Sequence, residues 1–500
     1  MHRKIMIQGT GSSVGKSIIV AGLCRIFAQD GFRVSPFKSQ NMALNSYVDI
    51  EGLEMGRAQV VQAEAAMEIP RAFMNPILLK PNSDNNSQII IEGKPVKNMD
   101  AKSYFANSSF LKEIAKKNYE IIERNFEVGV LEGGGSPAEI NLREYDCVNM
   151  GMAELIDAPV ILVGNIETGG VFAAIYGTIA LLDEKDKKRI KGFVINKFRG
   201  DIELLKPGIE MLESKLKEDG LDIEFLGVLP YEKLDIEEED VLAKKINTSV
   251  NKEADIKISI IRTDKMSNYT DFDALSHYPD VSVNYIFKAS DLGEEDIIIL
   301  PGSKSTIADL KKLKENGIFD KVKELYSKGA TVVGICGGFQ MLGKEIQDPY
   351  KIEGDLEKIE GFSFLDTYTT MEKLKCTQQV FKSIECSVDG TIIENFNGIV
   401  KGYEIHQGIT HGSEKNVTEG TEYVFIAKEN IFGTYIHGIF DNEKFTRNFL
   451  NNVRIKKGLK PLDDKFSFSR FKEAEYNKLA TLIRKNLDMS KIYKIMQHGK

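Results

Sequence analysis

Apolar runs of strand length recur through the first half of the chain, at Lys4–Gln8, Val128–Glu132, Pro159–Val163, Gly192–Asn196 and Phe225–Leu229. Helical patterns lie between them, which is the signature of a mainly parallel, doubly wound sheet. A second alternation starts at Ile256–Ile261 and continues through Val281–Phe287, Asp296–Leu300 and Thr331–Ile335, predicting a second sheet. Between the two, around Tyr231–Lys252, the chain turns acidic and then polar, centred on Glu237-Glu-Glu-Asp240. From about Phe445 onward the pattern is helical and lysine-rich. The expected fold class is therefore α/β, with two doubly wound, mainly parallel sheet domains and a short helical C-terminal tail. The boundaries read as 1–235 for the first domain, 236–253 for a linker, 254–445 for the second domain and 446–500 for a helical appendage. No internal repeat or low-complexity tract is present.

Composition narrows the class. A chain of 500 residues is too long for one core. Hydrophobic residues at 42% and charged residues at 28% are ordinary for a soluble globular protein. The net charge of -8 argues against a nucleic-acid partner, which needs a basic face, but leaves room for a local basic pocket. The odd, scattered set Cys24, Cys147, Cys336, Cys376 and Cys386 is not a disulfide framework. The first strand begins almost at the N-terminus, leaving no space for a signal peptide, and no apolar run reaches roughly 18 residues. A cytoplasmic protein without a membrane partner is expected; the oligomeric state is not legible.

Candidate chemistry appears in two places. Gly9-Thr-Gly-Ser-Ser-Val-Gly-Lys-Ser17 follows a strand and precedes an apolar helix. Thr10 stands where the usual phosphate loop has its first glycine, with Gly9 one residue earlier. In such a loop Gly11, Ser12, Ser13, Val14 and Gly15 turn their N–H groups toward phosphate, and the helix N-terminus adds its dipole. Lys16 neutralises β- and γ-phosphates, and Ser17 offers its hydroxyl to Mg²⁺. Glu132 ends a strand just before Gly133-Gly-Gly-Ser-Pro137, at the sheet edge where a Mg²⁺ ligand is useful. Asn196-Lys197-Phe198-Arg199 has the form of a base-reading element, but Arg199 replaces the aspartate that a guanine requires, so the nucleotide expected is ATP. Gly164–Gly170 follows another strand and lines the same cleft. Lys38, Gln40 and Asn41, on a loop after the second strand, are placed to contact substrate carboxylates or the γ-phosphate.

The second place is Cys336, in Gly334-Ile-Cys-Gly-Gly-Phe-Gln340. Flanking glycines permit the strained turn that lifts a side chain above a sheet, and the following helix favours thiolate. Gly337 offers one oxyanion N–H, and Gly302 or Ser303 in Leu300-Pro-Gly-Ser-Lys304 a second. His437, in Gly433-Thr-Tyr-Ile-His-Gly438, is the natural base. A thiol nucleophile and an ATP cradle in one chain suit release of ammonia from glutamine and its transfer to an ATP-activated carboxylate.

The elbow around Cys336 resembles that of class I glutamine amidotransferases. Pro36-Phe-Lys-Ser-Gln-Asn-Met-Ala-Leu-Asn-Ser46, Ser136-Pro-Ala-Glu-Ile-Asn141, Gly402-Tyr-Glu-Ile-His-Gln-Gly408 and Gly433–Gly438 together resemble the cobyric acid synthase family of the cobalamin pathway, over Lys4 to about Asn442. The N-terminal half is similar to dethiobiotin synthetase. The resemblance implies a glutamine-hydrolysing carboxylate amidoligase. It would use ATP, Mg²⁺ and glutamine, without a tightly bound prosthetic group, to amidate the b, d, e and g carboxylates of a corrinoid, adenosylcobyrinic acid a,c-diamide. Two departures matter. Ile439 stands where most class I amidotransferases have a glutamate after the histidine, so His437 must be oriented by another group, for which Glu404 and Asp441 are candidates. Asn165 and Thr168 replace the Asp and Arg associated with the family, so no metal or phosphate role carries over to them. The alternatives are cobyrinic acid a,c-diamide synthase, against which the Pro36–Ser46 segment argues, a partitioning-type ATPase with an inactive thiol domain, and an amidotransferase for a cell-wall or pyrimidine substrate.

Overall fold

The computed structural model describes residues 2–81, 86–237, 253–354, 356–384, 389–418, 420, 423–463 and 465–497. Residues 238–252 of the expected linker lie outside the described residues, as does Cys386; of the acidic centre, Glu237 is described and pairs with Arg57. The chain divides into two compact units. One holds Met1–Ala43, Glu54–Asp240 and Arg470–Lys500; the other holds Leu44–Leu53 and Val241–Ser469.

The first unit is built on six parallel strands in the order Glu224–Pro230, Ile190–Phe198, Val160–Asn165, Arg3–Gly9, Val128–Glu132, Val34–Phe37. All the strands expected from the apolar runs are present, within a residue or two of their expected ends. Buried on both faces, they read as continuous apolar runs rather than as alternation. Ile7 pairs with Glu132, so the loop after the first strand and the carboxylate ending its neighbour share one edge of the sheet. That edge, where strand order reverses, is where open α/β sheets bind ligands.

The second unit has strands in the order Val281–Ile286, Ile256–Ile261, Ile297–Leu300, Thr331–Ile335, Ile431–Thr434, Phe425–Lys428, parallel except for the last. A long antiparallel hairpin, Thr367–Ile384 with Gly398–Gly412, lies in a separate four-stranded sheet.

Three features depart from the sequence expectation. Gln40 and Asn41 are not in a loop but in a short strand, Gln40–Met42, parallel to Ile77–Pro81. That strand edges a small sheet continued by the hairpin Asn86–Ile91 and Lys94–Asp100. The hairpin turns on Glu92-Gly93, both at positive φ, the geometry that suits the twist of paired strands. Its second strand is too polar to be read from hydrophobicity. The helical tail also divides. The helix Glu443–Lys456 buries Phe445, Phe449 and Leu450 in the second unit, where Arg447 and Arg454 pair with Asp280. The helix Phe468–Asn486, from Arg470 onward, and the helix Met489–Gln497 belong instead to the first unit. They bury Tyr476, Leu479, Ile483, Ile492 and Met496 against Ile19, Leu23 and Phe27 of the helix Lys16–Gln29 and the strands beneath. The tail thus closes one face of the nucleotide unit.

Candidate active site

In the first unit the loop Gly9–Ser17 leads into the helix Lys16–Gln29 with Gly15 as its N-cap at φ +95°. Only glycine suits this place. A Cβ there would lie 2.2 Å from the amide nitrogen of Asn196. That amide donates to the Val14 carbonyl at 2.8 Å, and Lys197 Nζ donates to the Ser13 carbonyl at 2.7 Å. Asn196 and Lys197 therefore brace the loop from behind by its backbone. Arg199 stacks over the Tyr231 ring at 3.5 Å and pairs with the Glu167 carboxylate. Asn165 accepts from the Glu167 N–H in a local turn.

Lys16 Nζ donates to the carbonyls of Gly11 and Gly135, tying the loop to the segment after Glu132. Glu132 is 2% exposed and gathers three donors: Ser17 Oγ and Lys38 Nζ, each at 2.9 Å from Oε1, and Gln62 Nε2 at Oε2. Burial alone would push this carboxyl up; Lys38, with help from Gln62 and Ser17, outweighs that and holds it below the usual range. Sequence reasoning placed Ser17, Lys38 and Glu132 in one site, and the structure brings them together. Gln62, from the helix Arg57–Ala65, was not foreseen, because an amide in a helix carries no signature of its own. Gln40 and Asn41 turn into the unit: Gln40 Oε1 accepts from Tyr104, and Asn41 Nδ2 donates to Gln59.

In the second unit Cys336 joins the strand Thr331–Ile335 to the helix Gly337–Leu342 at φ +50°, ψ −106°, a strained conformation for a side-chain-bearing residue. Gly338 allows the tight turn, since a Cβ there would stand 1.9 Å from the Leu300 carbonyl. The thiol lies 3.7 Å from the Ile405 carbonyl. A Cβ on Gly337 would be 2.9 Å from the Ser303 backbone nitrogen, and one on Gly302 3.5 Å from His437 Cε1, so the foreseen oxyanion residues do converge here. The Ser303 hydroxyl donates to Asp309, fixing that turn.

His437 is fully buried, and its Nδ1 meets Asp271 Oδ2 at 2.7 Å. The other carboxylate oxygen accepts from the Gly438 N–H at 3.0 Å. Asp271 is thus the orienting group, and neither Glu404 nor Asp441 is. Glu404 is taken up by His406 and Gln378, while Asp441 sits in the turn Ile439–Asp441. Burial opposes a charged imidazole, but the Asp271 carboxylate, with a further contribution from Cys336, pushes His437 up to about 10. Nε2 has no hydrogen-bond partner of normal geometry among the described residues. Asp271 lies 166 positions before His437, in the one-turn helix Tyr269–Phe272, so no local motif pointed to it. Gln340, within the quoted elbow but without an assigned role, donates to the Tyr435 hydroxyl in the same buried layer. The donor atoms of Cys376, Glu404 and His406 lie within 4.8 Å of one another; His406 Nδ1 is held by the Gly408 carbonyl, and the group reads as an imidazole–carboxylate pair.

A glycine loop with an acid at its lip and a thiol elbow backed by a buried imidazole–carboxylate pair define a P-loop synthetase with a glutamine amidotransferase, and family profiles match in the same places. Residues 5–241 match the CobQ/CobB/MinD/ParA nucleotide binding domain, and 257–445 the CobB/CobQ-like glutamine amidotransferase domain. Cobyric acid synthase of Caldanaerobacter subterraneus subsp. tengcongensis is 48% identical over 513 residues, covering 99% of each chain. That of Clostridium botulinum (strain Langeland) is 50% identical over 506 residues, again with 99% of each covered. This chain belongs to the cobyric acid synthase family. A solved glutamine amidotransferase aligns with 39% of the chain at 16% identity and a TM-score of 0.30, too remote to bear on the site. No helix among the described residues is long and apolar enough to cross a membrane.

Proposed function

We propose that this enzyme converts the b, d, e and g carboxylates of adenosylcobyrinic acid a,c-diamide to amides, consuming ATP and glutamine. The observation that carries the chemistry is the Cys336 elbow beside the buried His437–Asp271 pair, in a chain that also holds the Glu132–Ser17–Lys38 cluster at a phosphate loop. The substrate assignment is supported by full-length likeness to proteins named cobyric acid synthase.

In this reading the Cys336 sulfur attacks the carboxamide carbon of glutamine, and backbone N–H groups of Gly337 and the Gly302-Ser303 turn hold the oxyanion. The C–N bond breaks as His437 passes its proton to the departing ammonia, leaving a thioester. The imidazole, now neutral, takes a proton from the water that attacks the thioester; the acyl C–S bond breaks, glutamate leaves, and the proton returns to the sulfur–imidazole pair. At the nucleotide site a substrate carboxylate oxygen attacks the γ-phosphorus and ADP leaves. Ammonia then displaces phosphate from the acyl phosphate. Lys16 neutralises the transferring group, and Asn196 and Lys197 keep the loop in shape. Ser17 and Glu132 offer hard oxygen donors of the kind Mg²⁺ takes, and would hold that ion, which supplies charge neutralisation at the phosphates. Lys38, already beside Glu132, is placed for a phosphate or substrate carboxylate.

Mass spectrometry of the product from candidate corrinoids with ATP and glutamine tests the assignment. Conversion of four carboxylates to amides is expected; two, with cobyrinic acid as the substrate, would identify the a,c-diamide synthase instead. Lys16→Ala in the same assay should lower amidation on the order of 10²-fold or more, while ammonia release from glutamine persists. Wild-type synthesis by that variant would place the nucleotide elsewhere.

A further inference from the structure

The end of the Pro36–Ser46 motif is used by neither site. Residues Leu44–Leu53, though they precede the helix Arg57–Ala65 of the nucleotide unit, pack in the amidotransferase unit. Their contacts there converge on what holds His437.

The imidazole is constrained on two sides. Asp271 holds its Nδ1 edge, and the Tyr403 ring stacks on its face with centroids 5.3 Å apart and planes 20° from parallel. The backbones of Tyr403 and His437 also exchange two hydrogen bonds. A single hydrogen bond at Nδ1 leaves the ring free to swing about that bond, so face packing is needed to fix its tilt. Both supports are tied to residues 45 and 46. The Tyr403 hydroxyl donates to the Ser46 carbonyl at 3.0 Å and accepts from Asn268 Nδ2 at 3.2 Å. Asn268 Oδ1 accepts from the Ser46 N–H at 3.1 Å, and Asn45 Oδ1 accepts from the Tyr269 N–H at 3.2 Å. Asn268, at φ +52°, is the N-cap of the turn that carries Asp271. Behind this network Tyr47 meets Tyr403 edge-on at 4.9 Å, and Val48 packs on Tyr403 and Ile405, whose carbonyl touches the Cys336 sulfur. Thr377 donates to the Gly52 carbonyl at 2.9 Å, pinning the far end of the segment.

We infer that Asn45 and Ser46, acting through Asn268 and Tyr403, are positioning residues for His437, so that the thiol site is completed by a segment from the first part of the chain. The inference rests on the glutaminase reading of Cys336 and His437. Asn45 suits the task because its short amide reaches the Tyr269 N–H, while Ser46 acts through its backbone N–H and carbonyl.

The test uses full-length Asn45→Ala and Tyr403→Phe, the latter keeping the ring and removing only the hydroxyl. For each, kcat and KM for glutamine hydrolysis are measured across pH, together with amidation driven by ATP and ammonium. A tilt of the base should lower kcat for glutamine about 10- to 100-fold. KM for glutamine should stay within about twofold, the pH profile of kcat should shift, and ammonium-driven amidation should be unchanged. Wild-type kcat and pH profile in both variants would overturn the inference. So would a parallel fall of ammonium-driven amidation in both, which marks a merely structural role. Failure of the glutaminase reading itself is distinguishable, because the wild-type enzyme would then release no ammonia from glutamine.

Discussion

A Cys336→Ser enzyme is expected to lose glutamine-dependent amidation by on the order of 10³-fold or more, and to keep ammonium-dependent amidation. The elbow at φ +50° presents one atom above the sheet, beside an imidazole whose Nε2 has no other partner among the described residues. A serine hydroxyl in that place is a far poorer nucleophile, because an alcohol is a much weaker acid than a thiol. The contacts around Glu132, Ser17 and Lys38 are made within the nucleotide unit. High ammonium at alkaline pH should therefore restore ATP-dependent product to wild-type rates. The measurement is product formed with glutamine and with ammonium, for both enzymes. Full glutamine-dependent activity in the serine variant would reduce Cys336 to packing and remove the two-site reading.

Asp271→Asn should lower kcat for glutamine hydrolysis by about 10²–10⁴-fold with little change in nucleotide turnover. An amide in place of the carboxylate no longer stabilises the imidazolium and presents a donor where an acceptor is required, so the ring takes the wrong tautomer. The pair also makes stability depend on pH in a predictable direction. With His437 raised from 6.5 to about 10, its charged form stabilises the fold fully below 6.5, and that contribution disappears as pH rises through about 10. The variant should therefore be less stable than wild type at pH 7, and the gap should close towards pH 10. Urea unfolding of both proteins at the two pH values measures this; a constant gap would mean that Asp271 and His437 are not coupled.

Much of this was legible in the sequence, for a physical reason in each case. Strands buried on both faces are written as apolar runs, so the two parallel sheets could be read directly, to within a residue or two at Val128–Glu132 and Thr331–Ile335. Chemistry that depends on a turn is also local. A phosphate loop or a thiol elbow needs glycines next to the reacting residue, which is why Lys16, Ser17 and Cys336 stood out. Glu132 was legible because the end of a strand fixes where its side chain goes.

Only the tertiary structure decided what is held by contacts distant along the chain. Asp271 and His437 meet across 166 positions, Gln62 reaches Glu132 from a helix, and Asn45 supports a turn carried by Asn268. None of these has a spacing that sequence constrains, since any short polar side chain at the right point in space would serve. The helical tail makes the same point. Its periodicity announced amphipathic helices, but an apolar stripe does not say which surface it will cover. Glu443–Lys456 covers the amidotransferase sheet, while Phe468–Asn486 and Met489–Gln497 bury their stripes on the helix that follows the phosphate loop.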